Sequence, residues 1–390
     1  MYVRALSLHD FRSWDKVSIE LEPGRTVFLG SNGNGKTNLL EALGYLSTLS
    51  SHRVASEAPL VRTGMSKSLI GATVVNLGRE LTIDVELNQG LANRARINKS
   101  PARRTREILG ILRTVLFSPE DLALVRGDPG ERRRFLDELS TTRLPRLAAV
   151  RADYDRVLRQ RSALLKTAAR SRRADLGTLD VWDGHLAAHG SILVAERLKL
   201  VHELAPYLVE AYRSIAPESR PSSVRYKSSL GASLPPEFLD IARAPVRDDA
   251  EVLEAVFLQE LATVRSKEIE RGVCLVGPHR DDLELHLGTE PAKGFASHGE
   301  SWSYALSLRL ASYELLRADG SDPVLMLDDV FAELDRRRRS ALASVAADAE
   351  QVLITAAVGD DVPAELKADI VEVSTEQTDL GRVSRVVCGS

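Results

Sequence analysis

The stretch TVFLGSNGNGKTNLLEALGYL, residues 26–46, sets Gly30, Gly35, Lys36 and Thr37 in the spacing G-x-x-x-x-G-K-[ST]. The apolar run 27–29 before it reads as a strand, and Leu39, Leu40, Leu43 and Leu46 after it recur at helical intervals. Glycines in such a loop let the backbone N–H groups of Asn32 to Thr37 turn toward a phosphate, at the positive end of a helix that begins near Lys36. A lysine there neutralises β- and γ-phosphate charge, and the Thr37 hydroxyl is placed to ligate Mg²⁺. Candidate nucleotide-binding residues are therefore Gly30, Ser31, Asn32, Gly33, Asn34, Gly35, Lys36, Thr37 and Asn38. The competing reading is a glycine-rich turn that binds nothing.

A second stretch, VLMLDDVFAELD at 324–335, ends an apolar run in two adjacent carboxylates. Acids at a strand exit are ordinarily solvated. Beside a phosphate loop the pair acquires a use: Asp328 to hold hydrated Mg²⁺ and Asp329 to orient the attacking water, with Lys36 completing the catalytic set. A third helix start, GFASHGESWSYALSLRLASYELL at 294–316, offers Ser297 and Gly299 as a further anion contact. Taken alone it is an ordinary Ser/Gly cap.

These residues must be positioned by elements from opposite ends of the chain. Its 390 residues allow two domains, or one large head with an insertion. Alternation at 3–8 and 17–21 reads as two strands ahead of the phosphate-loop strand, and alternation at 69–75 and 81–87, with ARIN at 95–98, reads as an antiparallel lobe. After about Asp128 the pattern turns helical through Leu147, Val150, Tyr154, Val157, Leu158, Arg161 and Leu165. It breaks near SRRADLGT and resumes at Leu186, Leu193, Leu200, Leu204 and Leu208. A Pro- and Ser-rich patch at 217–245 closes this arm, and a helix at 252–269 leads to strands at 273–276 and 283–287. A helix at 304–316, the acid-bearing strand at 324–327, another strand at 352–355 and a strand-rich tail complete the head. The expected division is a split head, 1–128 with 265–390, and an inserted helical arm, 129–264.

Overall charge is −3, but residues 94–173 hold 21 Lys and Arg against 9 Asp and Glu, a net of +12 that leaves −15 for the remainder. That asymmetry points to a polyanion, and the scarcity of interleaved aromatics favours phosphate contact with duplex over stacking on bases. Arg103 and Arg104, and the run Arg132, Arg133 and Arg134, are the candidate DNA contacts. A set of solvated helix faces is the plainer alternative. Cys274 and Cys388 are far apart, and charge enters within the first ten residues. A cytoplasmic protein without signal or membrane span is expected.

The order of phosphate loop, long insertion, Ser-x-Gly helix start and apolar strand with paired acids resembles an ABC-type ATPase head of the SMC kind. LHDFRSWDKVSIELEPG, GKTNLLEAL, FSPEDLALVRGDPGERRRFLDE, GPHRDDLEL, ASHGESWSYALSLRLA and LMLDDVFAELD are similar, more narrowly, to the RecF family and span nearly the whole chain. The resemblance implies an α/β ABC-type P-loop ATPase head, a mixed sheet with an antiparallel lobe, interrupted by a mostly helical arm. It implies ATP and Mg²⁺ as cofactors and weak, DNA-stimulated ATP hydrolysis used as a switch. It further implies an ATP-dependent homodimer in DNA repair, replication and the SOS response, binding duplex DNA and single/double-strand junctions and acting with RecO and RecR to load RecA at gaps. Ser297 and Gly299 become the signature facing a partner's nucleotide, and Asp335 closes a loop on the dimer seam. Three departures stand out: Glu300 where Gln is usual, Val115 where many heads carry a Mg²⁺-sensing Gln, and Ala356 where transport ATPases place a switch His. The alternatives are the nucleotide-binding subunit of a transporter, disfavoured by Ala356 and the basic arm, and a nuclease fused to such a head. His279 and Arg280 of GPHRDD stand between a turn held by side-chain hydrogen bonds and a part in nucleotide or DNA contact.

Overall fold

Apolar runs without alternation need cover on both faces, and the two ends of the chain bring such runs into one sheet. The computed structural model describes residues 1–170, 177–239, 249–320, 322–378 and 381–387. Its strands begin with β1 (Tyr2–Phe11), β2 (Trp14–Glu20), β3 (Gly24–Leu29), β4 (Lys67–Asn76), β5 (Arg79–Asn88), β6 (Arg94–Ile97), β7 (Ser100–Pro101) and β8 (Thr114–Phe117). They continue with β9 (Ser222–Lys227), β10 (Asp282–Leu287), β11 (Glu290–Pro291), β12 (Val324–Asp328), β13 (Gln351–Ala356), β14 (Asp369–Thr378) and β15 (Gly381–Val387).

One compact unit comprises Met1–Asp121, Arg213–Pro217 and Ala305–Ser390. Its first sheet has the order β15-β14-β3-β13-β12-β8, with β14, β3, β13, β12 and β8 parallel and β15 antiparallel to β14. The register pairs Leu327 with Ile354, and Ile354 with Val27, so the phosphate-loop strand and the acid-bearing strand flank β13 and end on the same side. The second sheet is antiparallel, β2-β1-β4-β5-β6-β7. Its alternation turns Leu6, Leu8, Ile70, Ala72, Val74, Ile83, Val85 and Leu87 inward. Helix α1 (Lys36–Thr48) packs Leu39, Leu40, Leu43 and Leu46 into that same core, with Phe28, Met326 and Leu353 of the parallel sheet. Each such side chain contributes about 1.5–3 kcal/mol on burial, so the loop before α1 is anchored by a helix that cannot shift cheaply.

The other unit comprises Leu122–Tyr212 and Glu218–Tyr304. Its helices are α2 (Leu122–Arg126), α3 (Pro129–Arg143), α4 (Leu147–Arg170), most of α5 (Leu179–Ile215) and α6 (Asp249–Arg271). The expected break near SRRADLGT and part of the 217–245 patch lie outside the described residues. Fully buried Arg161 of α4 is held by Asp183 of α5 and Glu268 of α6, both at 2.6 Å. Losing either acid would leave a buried charge uncompensated. After the short turn α7 (Ala292–Phe295), α8 (His298–Ala318) crosses the division between the units; α9 (Val330–Glu333) and α10 (Arg336–Asp348) follow β12.

Two local expectations are corrected. The segment 273–276 is not a strand: Cys274 is buried against Leu165 and Leu179, and the chain then turns through Gly277 at φ +130°, whose N–H bonds to Ser229 Oγ instead of a ladder. The Pro- and Ser-rich patch contains β9, whose alternation of buried Val224 and Tyr226 with exposed Ser223, Arg225 and Lys227 pairs it to β10. The expected strand at 352–355 is β13, in the middle of the sheet, and β14 and β15 make the tail after α10 strand-rich, as expected.

Candidate active site

Helix α1 begins without a cap. Gly35 stands at its N-cap position with φ 94°, no side chain accepts from its first turn, and no acid lies there. Its leading N–H groups and the positive end of its dipole are left for an anion. The glycines are required by close neighbours: a Cβ on Gly30 would stand 2.1 Å from the Val373 carbonyl oxygen, and one on Gly35 2.3 Å from Ser384 Oγ. Lys36 Nζ donates to Gly30 O at 2.7 Å, spanning the loop from within. Ser31, Asn32 and Gly33 form its exposed crest. This cradle fits a polyphosphate: the helix start above it has no side-chain cap and no acid, and a Cβ at Gly30 or Gly35 would collide with its walls.

Unlike Asn32, Asn34 and Asn38 act on the loop rather than facing outward. Asn34 donates to Val373 O at 2.9 Å and accepts from Arg382 at 3.0 Å, and Asn38 donates to Ser13 Oγ at 2.9 Å and accepts from Arg53 at 3.0 Å. The β1–β2 turn adds Trp14 Nε1, donating to Gly35 O at 3.1 Å, and Ser13 Oγ, 2.6 Å from Ser384 Oγ. Arg12, in the left-handed region at φ 54°, directs Nε and Nη2 to the fully buried Glu41 of α1 at 2.9 and 2.5 Å. These supports were missed by spacing alone, though FRSWD hints at them by placing a cation, a hydroxyl and an indole in one hairpin turn.

At the exit of β12, Thr37 Oγ1 donates to Asp328 Oδ1 at 2.8 Å and Thr355 Oγ1 donates to the same oxygen at 2.6 Å. Burial pushes the Asp328 carboxyl up to about 6, opposed by the two threonine bonds and reinforced by the charges of Asp329 and Glu120. A hydroxyl and a carboxylate touching in this way are the hard oxygen donors Mg²⁺ prefers. Asp329 sits in the left-handed region at φ 48°, which Asp tolerates, and its N–H donates to Thr355 Oγ1 at 2.9 Å. The backbone thus reverses there, leaving the second acid half-exposed at the strand exit. Val115 is corrected as a sensor position: it is buried in mid-strand opposite Leu325, and the residues leaving β8 beside Asp328 are Ser118 to Asp121.

In the other unit, Ser297 and Glu300 form a reciprocal cap at the start of α8. Ser297 N–H donates to Glu300 Oε2 at 2.9 Å and Glu300 N–H to Ser297 Oγ at 3.2 Å, while Arg220 donates to Glu300 Oε1 at 3.1 Å. The Ser297 amide bond above all, with Arg220, holds the Glu300 carboxyl below its ordinary range against a small burial effect. The acid that departs from the usual glutamine is therefore folded back onto its own helix start.

The arginine run is corrected in part. Arg132 is buried, donating through Nε and Nη2 to Asp282 at 2.8 and 2.9 Å and through Nη1 to the carbonyls of Leu124 and Gly127. A guanidinium with its donors so spent cannot serve a DNA phosphate. Arg133 donates to Asp281 O at 2.8 Å, and Arg134 pairs with Glu131 and Glu138 along its own helix. Arg103 and Arg104 are exposed, with no ion pair among the described residues. GPHRDD follows the turn reading: His279 Nδ1 lies 2.6 Å from Tyr154 Oη, burial depresses its pKa to about 4, and Arg280 Nε donates to Cys274 O.

A glycine cradle ahead of a deeply packed helix, with an acid pair at the exit of a neighbouring parallel strand, defines a P-loop ATPase head of the ABC type. The family described as RecF/RecN/SMC N terminal domain matches residues 2–378. The DNA replication and repair protein RecF of Rhodococcus erythropolis is 70% identical over 396 residues, covering 99% of this chain and 97% of that protein. The chain belongs to the RecF family. Among solved structures it shares its fold with the recombination mediator protein RecF-ATPrS in the RecFOR pathway, at a TM-score of 0.85 and 24% identity over 99% of this chain and 98% of that one. It is also similar to an Smc head bound to the C-winged helix domain of ScpA, at a TM-score of 0.54 and 17% identity, covering 99% and 98%. No helix among the described residues is long and apolar enough to cross a membrane.

Proposed function

We propose that the chain is an ATP-dependent DNA-binding protein of recombinational repair, dimerising on ATP and acting with RecO and RecR to place RecA at gapped DNA. The observation that carries this reading is the direct contact of Thr37 with Asp328 beneath an uncapped phosphate loop, in a chain 70% identical to a RecF. The N–H groups of the loop and Lys36 bind and orient the β- and γ-phosphates. Thr37 and Asp328 would hold Mg²⁺, which when bound would neutralise charge on the β- and γ-phosphates. Asp329 orients water for slow hydrolysis, so the nucleotide works as a switch. Each chain has one phosphate loop and one Ser-x-Gly helix start, and a complete site takes the loop from one copy and the helix start from another.

The exposed Arg103 and Arg104 supply sequence-independent contact with duplex phosphates. The test is retention of a labelled gapped duplex by the purified protein. Retention with ATP, reduced with ADP and without strand cleavage, is the expected result; nucleotide-indifferent retention or cleavage contradicts the reading.

A further inference from the structure

Asn34 stands between Gly33 at φ 83° and Gly35 at φ 94°, so the crest of the phosphate loop is flanked by two residues with wide conformational freedom. Side-chain contact has to hold such a crest in one shape. The Asn34 side chain, in a residue only 9% exposed, makes that contact at both ends. Its Nδ2 donates to Val373 O at 2.9 Å, and its Oδ1 accepts from Arg382 Nη2 at 3.0 Å and from Thr375 Oγ1 at 3.4 Å. Arg382 Nε also donates to Thr375 Oγ1, at 2.8 Å, which closes a triangle on the one amide oxygen. Val373, Thr375 and Arg382 all belong to the hairpin β14–β15, and Arg382 lies 348 positions from Asn34. Its Nη1 stands 3.6 Å from where a Cβ on Gly33 would be.

A carboxamide can turn end for end, exchanging its donor and acceptor. Here the exchange would set Nδ2 against the guanidinium and Oδ1 against the Val373 carbonyl, donor facing donor and acceptor facing acceptor. Arg382 and Val373 O together therefore leave the amide a single orientation. Arg382 is exposed and no acid is ion-paired with it among the described residues, so its guanidinium is committed to the loop. Arg385, on the same strand, is spent instead on Asp15 and Glu376. We propose that Arg382 is a positioning residue for ATP: by orienting the Asn34 amide it holds the crest of the loop, with its N–H groups, in the form that receives phosphate. The inference rests on the ATP-binding reading above and deepens it, since it makes the C-terminal hairpin part of the nucleotide site.

The test is equilibrium binding of a fluorescent ATP analogue with Mg²⁺ to the full chain, alongside ATP turnover. Binding in wild type that Lys36→Ala abolishes supports the parent reading, and its absence in wild type overturns both readings together. With the parent intact, Arg382→Ala is expected to weaken binding roughly 10-fold, the effect of one lost charge-assisted hydrogen bond, while turnover at saturating ATP stays at the wild-type rate. Asn34→Ala is expected to weaken binding at least as much, and adding Arg382→Ala to it should change nothing further. Glu376→Ala breaks the pair with Arg385 on the same hairpin without touching Asn34, and is expected to bind like wild type. Wild-type affinity in an Arg382→Ala protein with native circular dichroism overturns this inference alone. So do additive losses in the double variant, or a loss in Glu376→Ala equal to that in Arg382→Ala.

Discussion

Substituting Arg132 separates structural from DNA-binding use of the basic run. Arg132→Ala deletes both bonds to Asp282 and those to the Leu124 and Gly127 carbonyls, leaving a carboxylate only 17% exposed without its cation. Breaking a buried pair from one side costs about 3–5 kcal/mol, and partial access of water to Asp282 lowers this to about 2–4 kcal/mol. At roughly 2–4 °C per kcal/mol for a unit of this size, the melting temperature should fall by roughly 5–15 °C. The counterpart, Arg103→Ala with Arg104→Ala, removes exposed side chains and should leave stability within about 0.5 kcal/mol. Its effect belongs to DNA: losing two phosphate contacts should flatten the slope of log affinity against log salt by about 1.8. Thermal unfolding by circular dichroism and salt-titrated duplex binding below the variant's transition measure both. An Arg132→Ala protein as stable as wild type but weaker on DNA refutes the assignment, as does an unchanged salt slope in the double variant.

The acids should divide by step. Asp329→Asn is expected to bind ATP normally and hydrolyse it roughly 100-fold or more slowly, whereas Asp328→Asn loses Mg²⁺-dependent affinity; equal turnover in wild type and Asp329→Asn contradicts the assignment. Gly30→Ala places a methyl 2.1 Å from Val373 O, so the loop or β14 must move and ATP binding should be lost; wild-type affinity in equilibrium binding would remove this loop from phosphate recognition.

The parts legible in the sequence were those with strong periodicity or fixed spacing. The phosphate loop, the fully buried β12 and the alternating strands of the antiparallel sheet stand where the residues place them, because each pattern reports local geometry. What failed to show was partnership across sequence. Arg132 reads as a surface cation until Asp282, 150 positions away, is found against it. Glu300 reads as a repulsive charge until its carboxylate is seen closing a cap on Ser297. β9 hid because six residues of alternation were submerged in Pro- and Ser-rich composition, and 273–276 misled because four apolar-rich residues can be buried by a turn as well as by a ladder.

The composite site is tested most directly by molar mass. A few charge-assisted hydrogen bonds across the seam, at about 1.5–3 kcal/mol each, shift a dimerisation constant by several powers of ten at about 1.4 kcal/mol per decade. ADP lacks the phosphate that would receive them. Light scattering on the purified chain should give a monomer without nucleotide and a two-fold dimer with ATP and Mg²⁺. The dimer should be most persistent in Asp329→Asn and lost in Lys36→Ala and Ser297→Arg. A mass indifferent to ATP, or a Ser297→Arg protein that dimerises like wild type, contradicts a site shared between two chains.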